Sequence, residues 1–273
     1  MPELPEAETI VRDLQRRVTG RRIESVKVHK ADVLSRSTPE QFRRRLKGRR
    51  IESVGRRAKN IIIRLDADLV LVINLGMTGR TVSSDAVRAG ELKHVAVRFL
   101  LDDGREILYD DARRFGRLEL FTATQWAERD AHFGVEPLSP EFTAEQLFAG
   151  LKQSRVPVRN WLLDQARIAG VGNIYANEAL YRAGIRPSRR SNLITRAEAA
   201  RLRDTIRDVL SEAIAKRGTT LSDYRDASGE EGGFQPLLQV YGREGEPCPR
   251  CGSTIRRTVI TNRSAFYCPK CQR

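Results

Sequence analysis

The sequence predicts an α+β protein: a β-rich N-terminal domain opened by a single helix, then a helical domain, then a small hairpin built on four cysteines. Three observations carry this. Short β-type runs separated by turn residues fill the first half of the chain, and after Pro137-Leu138-Ser139-Pro140 the apolar period changes to that of a helix. All four cysteines fall in the last 26 residues.

At the start, Leu4, Ala7, Ile10, Val11, Leu14 and Val18 recur every three or four residues, which predicts an amphipathic helix over 3–19 ending at Gly20. The heptapeptide GRRIESV occurs at 20–26 and again at 48–54. It predicts two similar helix-to-strand transitions in one sheet system, and no function is attached to it. Strand-like runs follow at 60–65, 69–75, 94–101, 106–109 and 118–121, an antiparallel sandwich or barrel-like layer. Helices are predicted over 143–152, 157–165, 173–184 and 195–217, the last with Thr195 and Glu198 as a capping box. Residues 218–247, rich in glycine and charge, read as a long loop of the functional or mobile kind. The expected domains are thus 1–136, 137–217, the loop and linker 218–247, and the metal hairpin 248–273.

With a net charge of +14, the natural partner is a polyanion. A membrane surface is the competing partner, but the chain has no apolar run of membrane-spanning length, no signal-peptide core and no lipidation motif. A cytoplasmic protein on nucleic acid is the expectation. Cys248-x-x-Cys251 and Cys268-x-x-Cys271, separated by 16 residues, fit one closed tetrahedral thiolate site for structural Zn2+ better than disulfide or redox pairing.

Removal of Met1 leaves Pro2 as a terminal secondary amine with carboxyl groups beside it at Glu3 and Glu6. Such an amine, with a reference pKa near ~8, can attack an aldehyde-level carbon and form an iminium. Proline and acids also suit the first turn of any helix, so the plain reading is a helix start. Gly170-Val171-Gly172-Asn173 lies between two helices, with Asn173 placed to cap the second. Close backbone approach and free N–H groups there make a phosphate seat, although an ordinary tight turn looks the same.

Six dispersed motifs then bring a family into view: MPELPEAET at 1–9, RRAKN at 56–60, NLGMTGR at 74–80, DARRFG at 111–116, AGVGNIYANEAL at 169–180 and RSAFYCPKCQR at 263–273. From end to end and in this order, the chain resembles the bacterial formamidopyrimidine-DNA glycosylases, the 8-oxoguanine DNA glycosylase/AP lyases, within the wider group that includes endonuclease VIII. Leu4 resembles the formamidopyrimidine branch. The resemblance implies an N-terminal β-sandwich, a helix-two-turn-helix domain and a zinc finger. It implies a bifunctional enzyme of base excision repair that removes oxidised purines through a Schiff base on Pro2, with Glu3 protonating the sugar ring oxygen, Glu6 supporting the site and Lys59 beside the lesion phosphate.

Further roles follow from the same resemblance. Met77, Arg113 and Phe115 would fill the stack left by an extruded base, and Arg263 would serve the phosphate and the last elimination. His94, Arg114, Arg155 and Asn173 would contact DNA, with Arg159 adding to that face. Lys59 as a solvated lysine, Phe115 as a core aromatic and His94 as a structural histidine are the plain alternatives. Asn74 stands where many relatives carry histidine, and the loop 218–247 is expected to close over the purine. The implied partner is double-stranded DNA with oxidised bases or abasic sites, bound by a monomer associated with the bacterial nucleoid. Two other readings are an endonuclease VIII-like preference for oxidised pyrimidines and a catalytically silent DNA-binding protein.

Overall fold

A computed structural model describes residues 2–87, 90–220, 226–227 and 230–273. Two compact units are present: Met1–Ala131 with Ile214–Gln235, and His132–Ala213 with Pro236–Arg273. The loop predicted at 218–247 is therefore shared between them, and its residues 221–225, 228 and 229 lie outside the described residues.

In the first unit the described elements run α1 (Leu4–Val18), β1 (Ile23–Val28), β2 (Leu34–Ser35), α2 (Pro39–Leu46), β3 (Ile51–Arg57), β4 (Asn60–Leu65), β5 (Leu69–Asn74), β6 (Gly79–Ser83), β7 (Val95–Leu101), β8 (Glu106–Asp111), β9 (Arg117–Thr122) and α3 (Ala123–Asp130). One sheet has the order β1-β7-β8-β6 and the other β2-β9-β5-β4-β3, antiparallel throughout except for the short β2–β9 pair. Ile61, Ile63, Leu71 and Ile73 enter the main core with Val97, Phe99 and Ile107 of the opposite sheet. β5 reads as an unbroken apolar run from Leu69 to Ile73 because both faces are covered: α3 packs against β5 and β9, with Trp126 edge-on to Phe121. Helix α1 packs on β3 and β4 of one sheet and on β6 of the other.

The repeated heptapeptide departs from expectation. β1 and β3 belong to different sheets, and the two copies bind each other. Gly20 N–H donates to Ile51 O at 2.7 Å and Gly48 N–H to Ile23 O at 2.7 Å, while Ile23 N–H reaches Arg49 O and Ile51 N–H reaches Arg21 O, both at 2.8 Å. The bonds are related by a local two-fold, and Gly20 and Gly48 both adopt the positive φ that glycine tolerates. Each copy supplies the other's donors and acceptors, so the seam satisfies backbone groups where two sheets diverge.

In the second unit, α4 (Ala144–Lys152), α5 (Val158–Leu163), α6 (Asn173–Ala183) and α7 (Arg196–Ala215) lie close to their predicted spans. Thr195 and Glu198 exchange the capping-box bonds at 3.3 and 2.8 Å. The turn before α6 is clasped by Gln165, which accepts from Gly170 N–H and donates to Val171 O, both at 2.9 Å. A hairpin, β10 (Arg256–Ile260) and β11 (Arg263–Tyr267), follows. The chain leading to it is fastened by Glu178, fully buried on α6, whose carboxylate accepts the N–H groups of Gln239, Val240 and Tyr241 at 2.9, 3.0 and 2.9 Å. Burial pushes its pKa up and these three donors oppose the shift.

Glu178→Ala leaves three backbone donors without their acceptor. Amide hydrogen exchange at residues 239–241 should report a local stability lower by roughly 2–4 kcal/mol, and unchanged protection there would contradict this role.

Candidate functional site

The first turn of α1 is buried: Pro2 has little exposure, and Glu3 and Glu6 are 2% and 1% exposed. Glu6 Oε2 accepts the Glu3 N–H at 2.7 Å, while Oε1 accepts the Thr219 N–H at 2.8 Å. Both oxygens therefore fix backbone, one fixing the residue after Pro2 and the other fixing the stem that follows α7. Gly218 has φ +86° and a Cβ there would stand 2.8 Å from Glu6 Oε1, so only glycine fits. Arg217, also left-handed, joins Asp13 of α1 to the buried Asp226.

Lys59 lies in the two-residue turn from β3 to β4, beside Ala58 at φ +54°. That turn is tied to α1 as well: Arg56 donates to Ala58 O at 2.9 Å and to Glu8 Oε2 at 3.0 Å. Pro2, Glu3, Glu6 and the support of Lys59 thus depend on one helix.

Met77 and Phe115 are among the few large apolar side chains left in solvent, 41% and 54% exposed. They occupy facing turns, residues 75–78 and 112–116, joined by Asp111. Its Oδ2 accepts from Tyr109 Oη at 3.0 Å and Gly116 N–H at 2.9 Å, and its Oδ1 accepts from Thr78 Oγ1 at 2.5 Å. Thr78 Oγ1 accepts in turn from Arg113 N–H at 3.1 Å. Burial and then Asp111 push the Tyr109 phenol far up, which keeps it a proton donor. The Arg113 guanidinium lies 4.7 Å above the Phe115 ring. Asn74, which stands where many relatives carry histidine, is tied into this turn: it donates to Asn60 Oδ1 at 2.9 Å and accepts from Gly76 N–H at 3.0 Å.

His94 is exposed just before β7, its N–H held by Asp110 Oδ1 at 2.6 Å. Arg114 is left-handed and pairs with Asp32 at 3.2 Å on the surface.

Two expectations change in the second unit. Gly172 caps α6, and Asn173 is its first helical residue, with the side chain turned to the hairpin: Nδ2 donates to Ser264 O at 3.1 Å. Arg159, expected on the DNA face, is fully buried and donates to Asn173 Oδ1, Ile260 O and Ser264 O at 2.5, 3.1 and 3.1 Å. Burial, with Arg263 adding repulsion, lowers its pKa to about 10. Asn177 accepts from Phe266 N–H at 2.8 Å, and Asn160 donates to Thr261 at 2.7 Å. This grip presents the tight turn Thr261-Asn262, both at positive φ as a two-residue hairpin demands, and places Arg263 in solvent. Arg155 is exposed before α5.

The four Cys Sγ atoms lie within 4.8 Å of one another, with Cys251–Cys268 at 3.5 Å and Cys248–Cys271 at 3.9 Å. Zinc–thiolate bonds of about 2.3 Å in a tetrahedron require sulfurs about 3.8 Å apart, so the set fits one zinc ion. Hydrogen bonds from Ser253 pull the Cys251 thiol down to about 6, which supplies a thiolate at neutral pH. Tyr181 Oη lies 3.2 Å from Cys248 Sγ, and buried Gln272 accepts the Cys268 N–H at 2.8 Å, giving the ligands an outer layer of support.

Three family models match in order: the formamidopyrimidine-DNA glycosylase N-terminal domain over 1–118, the formamidopyrimidine-DNA glycosylase H2TH domain over 133–225, and the zinc finger found in FPG and IleRS over 245–273. The formamidopyrimidine-DNA glycosylase of Chloroflexus aurantiacus is 42% identical over 272 residues, covering 100% of this chain and 98% of its own. The chain belongs to the formamidopyrimidine-DNA glycosylase family. Among solved structures, the MutM (FPG) protein of Thermus thermophilus matches with a TM-score of 0.88 and 41% identity, covering 99% of this chain and 98% of its own. A Lactococcus lactis FPG variant in complex with Fapy-dG-containing DNA matches with a TM-score of 0.92 and 32% identity over 100% of both chains. The protein is thus a DNA repair glycosylase with a zinc finger.

Sequence reasoning missed Asp111, Thr78, Tyr109 and Arg217. Asp111 lay inside a quoted motif, but its partners are two residues before it, five after it and 33 before it, and no pattern along the chain links those positions.

A Cβ at Gly116 would stand 1.8 Å from Tyr109 Oη and 2.6 Å from Asn74 O. Gly116→Ala should cost at least about 2 kcal/mol in the first unit, measured by thermal denaturation, with bound zinc unchanged. Cys268→Ser should release zinc and weaken duplex DNA binding more than it lowers the melting of the β-sandwich; full DNA affinity in the zinc-free variant would contradict the part given to the hairpin.

Proposed function

We propose that the protein is a bifunctional glycosylase/AP lyase that removes oxidised purines, 8-oxoguanine and formamidopyrimidines, from duplex DNA. The observation that carries this is the buried first turn of α1, where Glu6 fixes the backbone of Glu3 next to Pro2. Once Met1 is removed, the Pro2 amine attacks C1′ of the damaged nucleotide as the C1′–N bond breaks. Glu3 gives a proton to the ring oxygen, the sugar opens, and the base leaves with the bonding pair and a proton. The resulting iminium draws electrons from the C2′–H bond, so the 3′ phosphate departs by β-elimination; a second, δ-elimination expels the 5′ phosphate.

Lys59 holds the lesion phosphate and assists proton transfer, and Arg263 supports the final elimination. Asn173, His94, Arg114 and Arg155 engage the backbone. Extruding a base costs a few kcal/mol, and Met77, Arg113 and Phe115 offset that by occupying the vacated stack, Arg113 toward the orphaned cytosine. The exposure of Met77 and Phe115 supports this use, because burial against bases stabilises apolar surface that the free protein leaves in water. The enzyme acts as a monomer in the bacterial cytoplasm, at the nucleoid. Among the described residues no helix is long and apolar enough to cross a membrane.

One neighbour favours a second reading. A Lactococcus lactis FPG with a TM-score of 0.91 and 32% identity is described in complex with DNA containing an oxidised pyrimidine.

Borohydride reduction in the presence of duplexes bearing 8-oxoguanine or an oxidised pyrimidine decides among these. The Met1-free protein should form a covalent adduct mapping to Pro2 with the purine duplex, and an N-terminally extended form should give none. Trapping restricted to the pyrimidine duplex would favour the second reading. Tight binding without adduct on either would leave a DNA-binding protein without lyase chemistry.

A further inference from the structure

Residues 43–50 read RRRLKGRR, six cations in eight residues, and nothing in the reaction uses them. They form the C-terminal half of α2 and the chain just after it. Phe42 and Leu46, both fully buried, hold this helix to the sandwich, with Phe42 edge-on to Phe99. The arginines are therefore presented at fixed spacing by a rigid element. Among the described residues no carboxylate pairs with Arg43, Arg44, Arg45, Lys47 or Arg50; Arg49 approaches Asp66 only at 3.7 Å, a carboxylate shared with Arg22. Arg21 adds a further cation here, paired with Asp103. One or two cations suffice to complement a helix C-terminus, and five unpaired ones repel one another.

Strand topology fixes where this face lies. Asp66, in the turn entering β5, donates its N–H to Arg50 O, and Asp102, in the turn after β7, donates to Arg22 O. The Met77 turn leaves the opposite end of β5, and the Phe115 turn follows the opposite end of β8. A six-residue strand spans about 20 Å, so the basic face and the wedge occupy opposite ends of the sandwich.

We propose that the α2 face is a second docking surface for duplex DNA, engaging a segment other than the one that receives the wedge. Arg43 to Lys47 at helical rise cover about 6 Å, a length of duplex carrying about three or four phosphate charges. Rigid, closely spaced arginines without carboxylate partners match that charge density. Two DNA surfaces on one protein allow direct transfer between segments: the second duplex is captured before the first is released. The inference rests on DNA binding by the family and does not require the lyase chemistry.

The test preloads the protein on a fluorescent duplex bearing a non-cleavable abasic analogue and adds unlabelled lesion-free duplex at rising concentration. Release should accelerate about fivefold or more across the series, because capture precedes departure. Arg43→Gln/Arg44→Gln/Lys47→Gln should make release independent of competitor while single-turnover excision from a short duplex stays within about twofold, which also shows that the variant is folded. Release independent of competitor in the unaltered protein, or equally accelerated in the triple variant, would overturn the proposal. Acceleration by polyglutamate as strong as by DNA would overturn it too, assigning the face to an acidic protein.

Discussion

Two backbone N–H groups, those of Glu3 and Thr219, 216 residues apart in the chain, converge on the carboxylate of Glu6. The carboxylate is buried, and its bonds to Glu3 and Thr219 fold the start of the chain and the stem after α7 against each other. Gly218 passes close enough to Glu6 that no side chain fits, and Arg217 repeats the same link two turns along α1, through Asp13. Helix α1 is thus a platform for three separate pieces of backbone: the Pro2 segment, the stem 217–219, and through Glu8 and Arg56 the turn that carries Lys59. The first residues would otherwise fray, since chain ends are poorly ordered unless tied down.

The paired turns of Met77 and Phe115 are built on the opposite principle. Their side chains are exposed, and order resides in the backbone beneath them, where Asp111 collects a phenol, a hydroxyl and an amide from three segments. Tyr109 cannot lose its proton there, and Gly116 and Gly76 are small because the two turns touch through their backbones. Apolar groups kept in water at such a place are held ready for contact with something that is not part of the fold.

Much of this was legible along the chain because the signals are local. The period of α1, the four helices of the second unit, the capping box at Thr195 and the paired cysteines all rest on residues a few positions apart. What was illegible depends on distant partners. Asn173 has the chemistry of a cap, yet Arg159 and Ser264 draw its side chain across to the hairpin and leave Gly172 as cap. Arg159 reads as surface charge in any local window, but four neutral oxygens close around it in the fold. The GRRIESV repeat was visible as a repeat, while the pairing of one copy with the other across two sheets was not.

The hairpin tip has an electrostatic property of its own. Arg159 is buried with only neutral acceptors, and the charge of Arg263 bears on it strongly enough to help lower its pKa. Two like charges are thus held near each other with no carboxylate on Arg159, and the tip carries an unfavourable energy that the grip of Asn173 and Asn177 sustains. Geometry and charge of the hairpin are consequently set by one residue: the guanidinium of α5 that pins Ile260 of β10 and Ser264 of β11 also adds positive potential beneath Arg263.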